Sequence, residues 1–266
     1  MYNPLQLADK IEPLVAPKKR GKQLRWYHRF RVDRWYGGIV TGDVVGCNLR
    51  CGFCWAWRFA WKTKGRLLLS AEEAASKLYR LAERRRKHGR RIKQVRLSGG
   101  EPTIGFGHLV ELIEETTSRG LHFVVETNGI LVGARREYAD RLAEFHGAGI
   151  EVRVSIKGAN PREFYELTRA TPSAWSLQLK ALENLVSAGL EPGEEVYPAV
   201  MLSFNPSPAR ALEELKKTLK RIDEKLAESI EPEYVILYPH VERLLEKRGL
   251  KPRTKYRPEE VPPELV

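Results

Sequence analysis

Cysteine and methionine are scarce: the 266 residues contain three of the first and two of the second. All three cysteines, Cys47, Cys51 and Cys54, fall within one short loop sequence, GCNLRCGFCWAW. An odd number at such close spacing excludes a disulfide framework between distant segments. It points instead to metal binding or redox chemistry in a reducing compartment. Long apolar runs are also missing, since none approaches the roughly 20 residues of a membrane-spanning helix. The opening stretch MYNPLQLADKIEPLVAPKKR lacks the charged-then-apolar order of a secretory signal. A cytoplasmic protein with no membrane partner is the expectation. There is no internal repeat and no low-complexity tract.

What is present is charge. Charged residues make up 30% of the chain and hydrophobic ones 42%, with a formal net charge of +12. Basic residues are spread along the chain, with denser runs at Lys18–Arg34 and Arg84–Lys93. One reading is a solvated, charge-rich surface of the thermophile kind, with few Asn, Gln, Met and Cys. The other is an electrostatic footprint for RNA or another acidic partner. The 34 interspersed acidic residues favour the first.

Short apolar runs alternate with amphipathic segments. Strands are expected at Gly37–Gly46, Gln94–Gly100, His122–Gly129, Glu151–Gly158, Glu195–Phe204 and Tyr234–His240. Helices are expected between them: Ser70–Gly89, with Ser70 and Glu73 as a capping box, then His108–Gly120 and Arg135–Gly149. Two further helical stretches, PREFYELTR and AWSLQLKALENLVSAG, precede a long charged helix over Pro208–Ser229. Alternation of this kind predicts an α/β fold with a parallel sheet wrapped by helices. Six strands suit a partial barrel, although an open doubly wound sheet shares the local signature. The expected organisation is a basic N-terminal extension over 1–36, the barrel over 37–240 and a C-terminal helix and tail over 241–266.

In parallel α/β folds, chemistry gathers at the carboxyl ends of the strands. The polar or glycine-rich stretches fall there: the cysteine loop, SGGEP, ETNG, SIKG and YPH. A closed zinc site wants four ligands, and this chain has no fourth cysteine. A cubane iron–sulfur cluster held by three thiolates keeps one iron open to bind and activate something.

The C-x3-C-x2-C stretch CNLRCGFC resembles the signature loop of the radical S-adenosylmethionine (SAM) enzymes, and the resemblance extends over roughly Gly37–His240. It implies a partial (β/α)6 barrel of the radical SAM type, with one [4Fe–4S] cluster ligated by Cys47, Cys51 and Cys54. It also implies SAM chelating the open iron, and its reductive cleavage to a 5′-deoxyadenosyl radical that abstracts hydrogen from substrate. Phe53 takes the position of the family's aromatic residue near adenine. Gly99, Gly100 and Glu101 in SGGEP match the element that contacts the methionine amino group. Thr127 and Asn128 in ETNG resemble a third-strand motif of the activase and 7-carboxy-7-deazaguanine synthase branches. Lys157 in SIKG matches an activase lysine that pairs the methionine carboxylate, and Ser155, which stands where that branch has Asp, is placed by the resemblance to reach ribose or carboxylate. Tyr238 and His240, at the end of the last expected strand, are candidates to flank adenine or ribose. The chain is similar to an archaeal group of iron–sulfur oxidoreductases of unassigned substrate with an activase-like core.

With no further cysteine, an auxiliary cluster within this chain is excluded, and an electron donor such as ferredoxin or flavodoxin is implied. RNA or a protein is the candidate substrate. The Trp55, Trp57 and Trp61 segment is expected to shield the cluster. Two alternatives stay open: a tRNA- or nucleobase-modifying enzyme of the wyosine or deazaguanine kind, suggested by the basic arm with interleaved aromatics, and a non-enzymatic metal-binding interaction module.

Overall fold

The computed structural model describes residues 1–87 and 92–265. The first half of the chain runs through α1 (Pro4–Val15), β1 (Arg25–Asp33), β2 (Ile39–Val44), β3 (Leu67–Leu69), α2 (Ala71–Lys87), β4 (Gln94–Gly99), α3 (Phe106–Thr117) and β5 (His122–Thr127). It continues through α4 (Ile130–Ala134), α5 (Arg136–Ala143), β6 (Ile150–Ile156), α6 (Pro161–Thr168), α7 (Trp175–Ser187) and β7 (Val196–Met201). The last elements are α8 (Pro208–Leu219), α9 (Glu224–Glu228), β8 (Glu231–Glu233) and α10 (Pro239–Arg248).

Eight strands form one sheet in the order β8-β7-β6-β5-β4-β2-β1-β3. Six of them, β2, β4, β5, β6, β7 and β8, are parallel and adjacent in chain order. A doubly wound sheet reverses its order at a switch point, and this one does not, so the partial barrel is the architecture. The barrel is open, with β8 at one edge and the antiparallel β1 and β3 extending the other.

Strand alternation divides the sheet into two chemistries. Val95, Leu97, Phe123, Val125, Val152 and Val154 point outward into one buried core shared with α2, α3 and α7. Their neighbours Arg96, Glu126, Arg153 and Ser155 take the concave face.

Residues 1–36, read as an extension, supply α1 and β1 to the fold. Asn3 caps α1, its side-chain oxygen accepting from the Leu5 N–H at 2.9 Å and the Gln6 N–H at 3.3 Å. The helix buries Ala8, Ile11 and Val15 in a core with Val45, Phe59 and Ile104, directly behind the cysteine loop.

The Ser70–Glu73 capping box forms reciprocally, at 3.2 and 2.9 Å. Its expected stop at Gly89 lies outside the described residues. The helix expected over Pro208–Ser229 is two helices, because the Asp223 carboxylate accepts from the Lys225 N–H at 2.8 Å and starts α9 anew. The helix expected over Arg135–Gly149 ends at Ala143 and is preceded by the short α4.

The last expected strand needs correction. Glu231–Glu233 pairs with β7, whereas Val235–Ile236 pairs with Lys255–Tyr256. Pro239 opens α10, a position where its missing N–H costs nothing. Tyr238 and His240 therefore sit at a helix start, not a strand end. Among the described residues no helix is long and apolar enough to cross a membrane.

Helix α4 packs on α7 backbone to backbone at Gly133, where an added Cβ would lie 1.9 Å from the Leu177 carbonyl oxygen. Asn184 reinforces the contact by donating to the Val132 carbonyl at 2.9 Å. Gly133→Ala is expected to force the helices apart and lower stability by about 1–3 kcal/mol, measured as a reduced urea midpoint with unchanged slope; an unaltered midpoint would refute the close-contact argument.

Candidate functional site

The ends of β2, β4, β5 and β6 carry the cysteine loop, Gly99–Gly100–Glu101, Thr127–Asn128–Gly129 and Ser155–Ile156–Lys157. Because these strands are parallel neighbours, the four segments form one rim. Hydrogen bonds join the first three. Glu101, 2% exposed, accepts through one carboxylate oxygen from the Thr103 N–H at 3.2 Å, the Thr103 hydroxyl at 2.6 Å and the Thr127 hydroxyl at 2.7 Å. Its other oxygen accepts from the Asn128 N–H at 2.8 Å. Asn128 in turn donates from Nδ2 to Asn48 Oδ1 at 2.7 Å, inside the cysteine loop.

The glycines make that joining possible. The Glu101 N–H donates to the Gly46 carbonyl at 2.8 Å, and a Cβ on Gly100 would meet that same oxygen at 2.4 Å. The GGE turn, expected to approach a ligand, lies against the backbone entering Cys47. Beneath it, fully buried Arg25 donates to the carbonyls of Val15 at 3.0 Å and Glu101 at 3.1 Å. Burial lowers the Arg25 pKa to about 10, so the guanidinium stays charged at neutral pH.

Sequence reading missed Gln178 on α7. Its amide group donates to the carbonyls of Asn128 at 2.7 Å and Ser155 at 2.9 Å, and accepts from the Lys157 N–H at 3.1 Å. One fully buried side chain thus ties the third segment of the rim to the fourth. Gln178 occupies an apolar-periodic helix with no motif around it, so only the fold reveals it.

The donor set suits a cubane cluster by its chemistry, although among the described residues no three Cys, His, Asp or Glu side chains gather closely enough to hold a single metal ion. Cys47, Cys51 and Cys54 are sulfur donors on one loop, and the Leu49 N–H donates to Cys47 Sγ at 3.4 Å. Burial pushes each thiol up to about 12, a cost that bonding to iron would offset. Asn48, between two of them in sequence, has a buried Nδ2 with no partner. Phe53, 9% exposed, packs in the same core as Leu49, Cys51 and Ile130, with its ring 5.5 Å from Phe204.

Below the rim, the concave face is a lattice of ion pairs. On one side Asp43 bridges Arg29 at 2.7 Å and Arg31 at 2.9 Å. Asp33 then pairs with both Arg31 and Arg96, and Arg96 reaches Glu126 at 2.5 Å. The Tyr36 hydroxyl donates to Glu126 at 2.7 Å. On the other side Arg153 pairs with Glu231 at 2.6 Å and Glu233 at 2.7 Å. Glu233 also accepts from the Ser155 hydroxyl at 2.6 Å and from Lys157 at 3.0 Å, while Lys157 contacts Ser155 as well. Burial opposes charge on Glu233, yet Lys157 and Arg153 outweigh it and bring its pKa down to about 2. Burial likewise opposes charge on Lys157, and Glu233 nevertheless holds the ammonium above the ordinary lysine range. Glu233 was not singled out in the sequence because its strand, EPE, has no apolar alternation to mark it.

Tyr238 and His240 stack on each other with centroids 5.6 Å apart and turn toward the tryptophans. His240 Nε2 lies 2.6 Å from the Trp55 carbonyl, and Trp57 Nε1 donates to the His240 carbonyl at 3.1 Å. His240 thus anchors the segment after Cys54.

Residues 43–215 match the family described as the Radical SAM superfamily. A 7-carboxy-7-deazaguanine synthase of Hyperthermus butylicus is 34% identical over 146 residues, covering 54% of this chain and 57% of that protein. One from Rhodopirellula baltica is 40% identical over 111 residues, 39% of each chain. The chain thus spans little more than half, or less, of these curated relatives. A structure of TYW1 with a lysine-pyruvate adduct bound superposes with a TM-score of 0.52 at 18% identity, over 70% of this chain and 61% of that one. That likeness concerns the fold. The matches reach the superfamily and do not single out an activase-like branch.

The depressed pKa of Glu233 fixes a pH dependence. Its folded value of about 2 lies below the ordinary 4.5, so its charge stabilises the fold fully above about pH 4.5 and progressively less as pH falls toward 2. The stability difference between wild type and Glu233→Gln is therefore expected to be largest at neutral pH and to shrink through that window. Urea titrations of both proteins across it measure this; a difference that grows on acidification contradicts the assignment.

Proposed function

The chain belongs to the radical SAM superfamily, and from that premise we propose that it is a cytoplasmic radical SAM enzyme with Cys47, Cys51 and Cys54 as ligands of a single [4Fe–4S] cluster. When bound, the reduced cluster supplies the electron that cleaves SAM to methionine and a 5′-deoxyadenosyl radical, which abstracts hydrogen from substrate. The observation carrying this reading is the rim itself, where Glu101, Thr127, Asn128 and Asn48 form one hydrogen-bonded unit against the cysteine loop.

The chain's residues divide the work. Lys157, held charged by Glu233, is the candidate partner for the cofactor carboxylate, with Ser155 beside it. Glu101 uses its carboxylate to fix Thr127 and Asn128, so its part in receiving the amino group, with Gly99 and Gly100, is to shape the backbone there. Phe53 offers an aromatic face for adenine. The ion-pair lattice below offers donors and acceptors to a polar substrate. A ferredoxin or flavodoxin supplies the electron.

A second reading, modification of a nucleobase or related heterocycle, is supported by the two relatives named 7-carboxy-7-deazaguanine synthase. This chain departs from that branch at Trp55 and Ala56, which replace the Asp and Thr following its last cysteine. Comparison of tRNA nucleosides and small metabolites between a deletion strain and its parent separates the readings: loss of a modified base supports the second, and accumulation of an unrelated metabolite removes it.

Anaerobic reconstitution with iron and sulfide is expected to load about four irons per chain and, with dithionite and SAM, to yield 5′-deoxyadenosine. Cys54→Ala is expected to lose both. Lys157→Met is expected to raise the KM for SAM about tenfold or more, as loss of a charge-assisted contact requires. A colourless, zinc-loaded protein without affinity for SAM, or normal turnover by Cys54→Ala, would overturn the proposal and favour a metal-binding interaction module.

A further inference from the structure

The chain's positive charge is not evenly laid out in space. Between Val44 and Ala71 there are five Lys and Arg residues and no Asp or Glu, and between Lys247 and Pro258 there are six and again none. The denser runs at Lys18–Arg34 and Arg84–Lys93 carry at least as many cations, so what sets these two stretches apart is where the fold puts them. The fold brings them together at the cysteine loop. Arg248 donates to the Arg50 carbonyl at 3.4 Å, and a Cβ on Gly52 would meet Leu250 at 2.5 Å and Arg248 at 3.0 Å.

Aromatic rings hold these cations in place. Trp61 has the guanidinium carbons of Arg50 and Arg248 each 5.7 Å from its ring centroid. Trp57 lies 5.7 Å from Trp61 and carries Arg58 at 5.8 Å. Arg50 also donates to the Cys47 and Leu49 carbonyls, so the collar is fastened to the cluster loop itself. Arg58, Lys62, Lys247 and Lys251 are exposed around it.

We propose that this basic, tryptophan-braced collar is the docking surface for an acidic electron-carrier protein. The inference rests on the radical SAM reading above and adds where the electron enters. The 266 residues have no cysteine outside that loop, and in this proposal the electron comes from a separate carrier protein. The collar is the charged surface attached directly to that loop. A protein carrying clustered carboxylates fits it by charge, and such rim charges act mainly on encounter rate and salt dependence. RNA would also fit the charge but has no electron to give. At this surface the reduced donor loses one electron, the cluster gains one, and no atom is transferred.

The test uses the reconstituted holoenzyme with a reduced acidic flavodoxin as probe, and the triple variant Arg58→Glu, Lys62→Glu, Lys251→Glu, none of which lies in the cofactor site. The variant is expected to bind flavodoxin at least tenfold more weakly by fluorescence titration and to lose flavodoxin-driven 5′-deoxyadenosine formation by a similar factor. Dithionite-driven formation, which needs no docking, is expected to be unchanged. Wild-type binding is expected to weaken steeply between 50 and about 500 mM salt as the Debye length contracts. Unaltered flavodoxin binding and rate in the variant overturns the proposal, as does a variant that loses only tRNA binding. Failure of the wild type to cleave SAM even with dithionite overturns the parent reading instead.

Discussion

A carboxylate buried at the top of a parallel sheet needs partners for both oxygens, and at Glu101 those partners come from other loops. Thr103 satisfies it locally; Thr127 and the Asn128 N–H satisfy it from the next strand. The backbone of the same residue reaches Gly46, just before the first cysteine, and Arg25 from below. The cysteine loop, GGE turn and TNG turn consequently cannot shift independently. Removing this one group would leave two backbone N–H groups and two hydroxyls facing each other in a dry interior. The position of the cysteines therefore depends on a residue that contributes no sulfur.

Gln178 extends the same logic to the fourth segment, and the lattice below extends it across the floor. A closed barrel fills its interior with branched apolar side chains. This open half-barrel puts arginines and carboxylates there, each paired. Such pairs repay their desolvation poorly as stability, so the apolar outer layer carries the fold and the concave face is free to serve chemistry. The lattice keeps Lys157 charged at the edge of the cofactor rim through Glu233, a residue on the far strand β8. Closure of the sheet to its sixth parallel strand is what brings that carboxylate within reach.

The parts legible in the sequence were those written locally. The cysteine spacing, the GGE and TNG turns, and the Ser70–Glu73 box each sit within a few residues, and the strand–helix alternation predicted the parallel sheet. What escaped was non-local or lacked periodicity. Glu231–Glu233 is too short and polar to read as a strand, so the last strand was displaced to an apolar run that pairs with the tail, and Tyr238 and His240 moved with it. The Arg25–Asp33 strand was hidden by its charges, of which Arg31 and Asp33 pair within the lattice and Arg25 serves buried carbonyls. Gln178 and Glu233 show their roles only when strands far apart in sequence are placed side by side.

The tryptophans after Cys54 were expected to act as a shield, and their contacts show that shielding is a partial description. Trp55 packs edge-on to Phe59 at 5.7 Å against the core shared with α1, and the Arg31 guanidinium lies 5.2 Å from its ring centroid. Trp57 and Trp61 are partly exposed and meet guanidinium groups. An indole can do both because its face attracts a cation while its edge and body exclude water. Placing that residue type beside the cysteine loop excludes water there and still holds positive charge at the surface. Three aliphatic residues would provide the first property without the second, which is a physical reason for tryptophan at these positions.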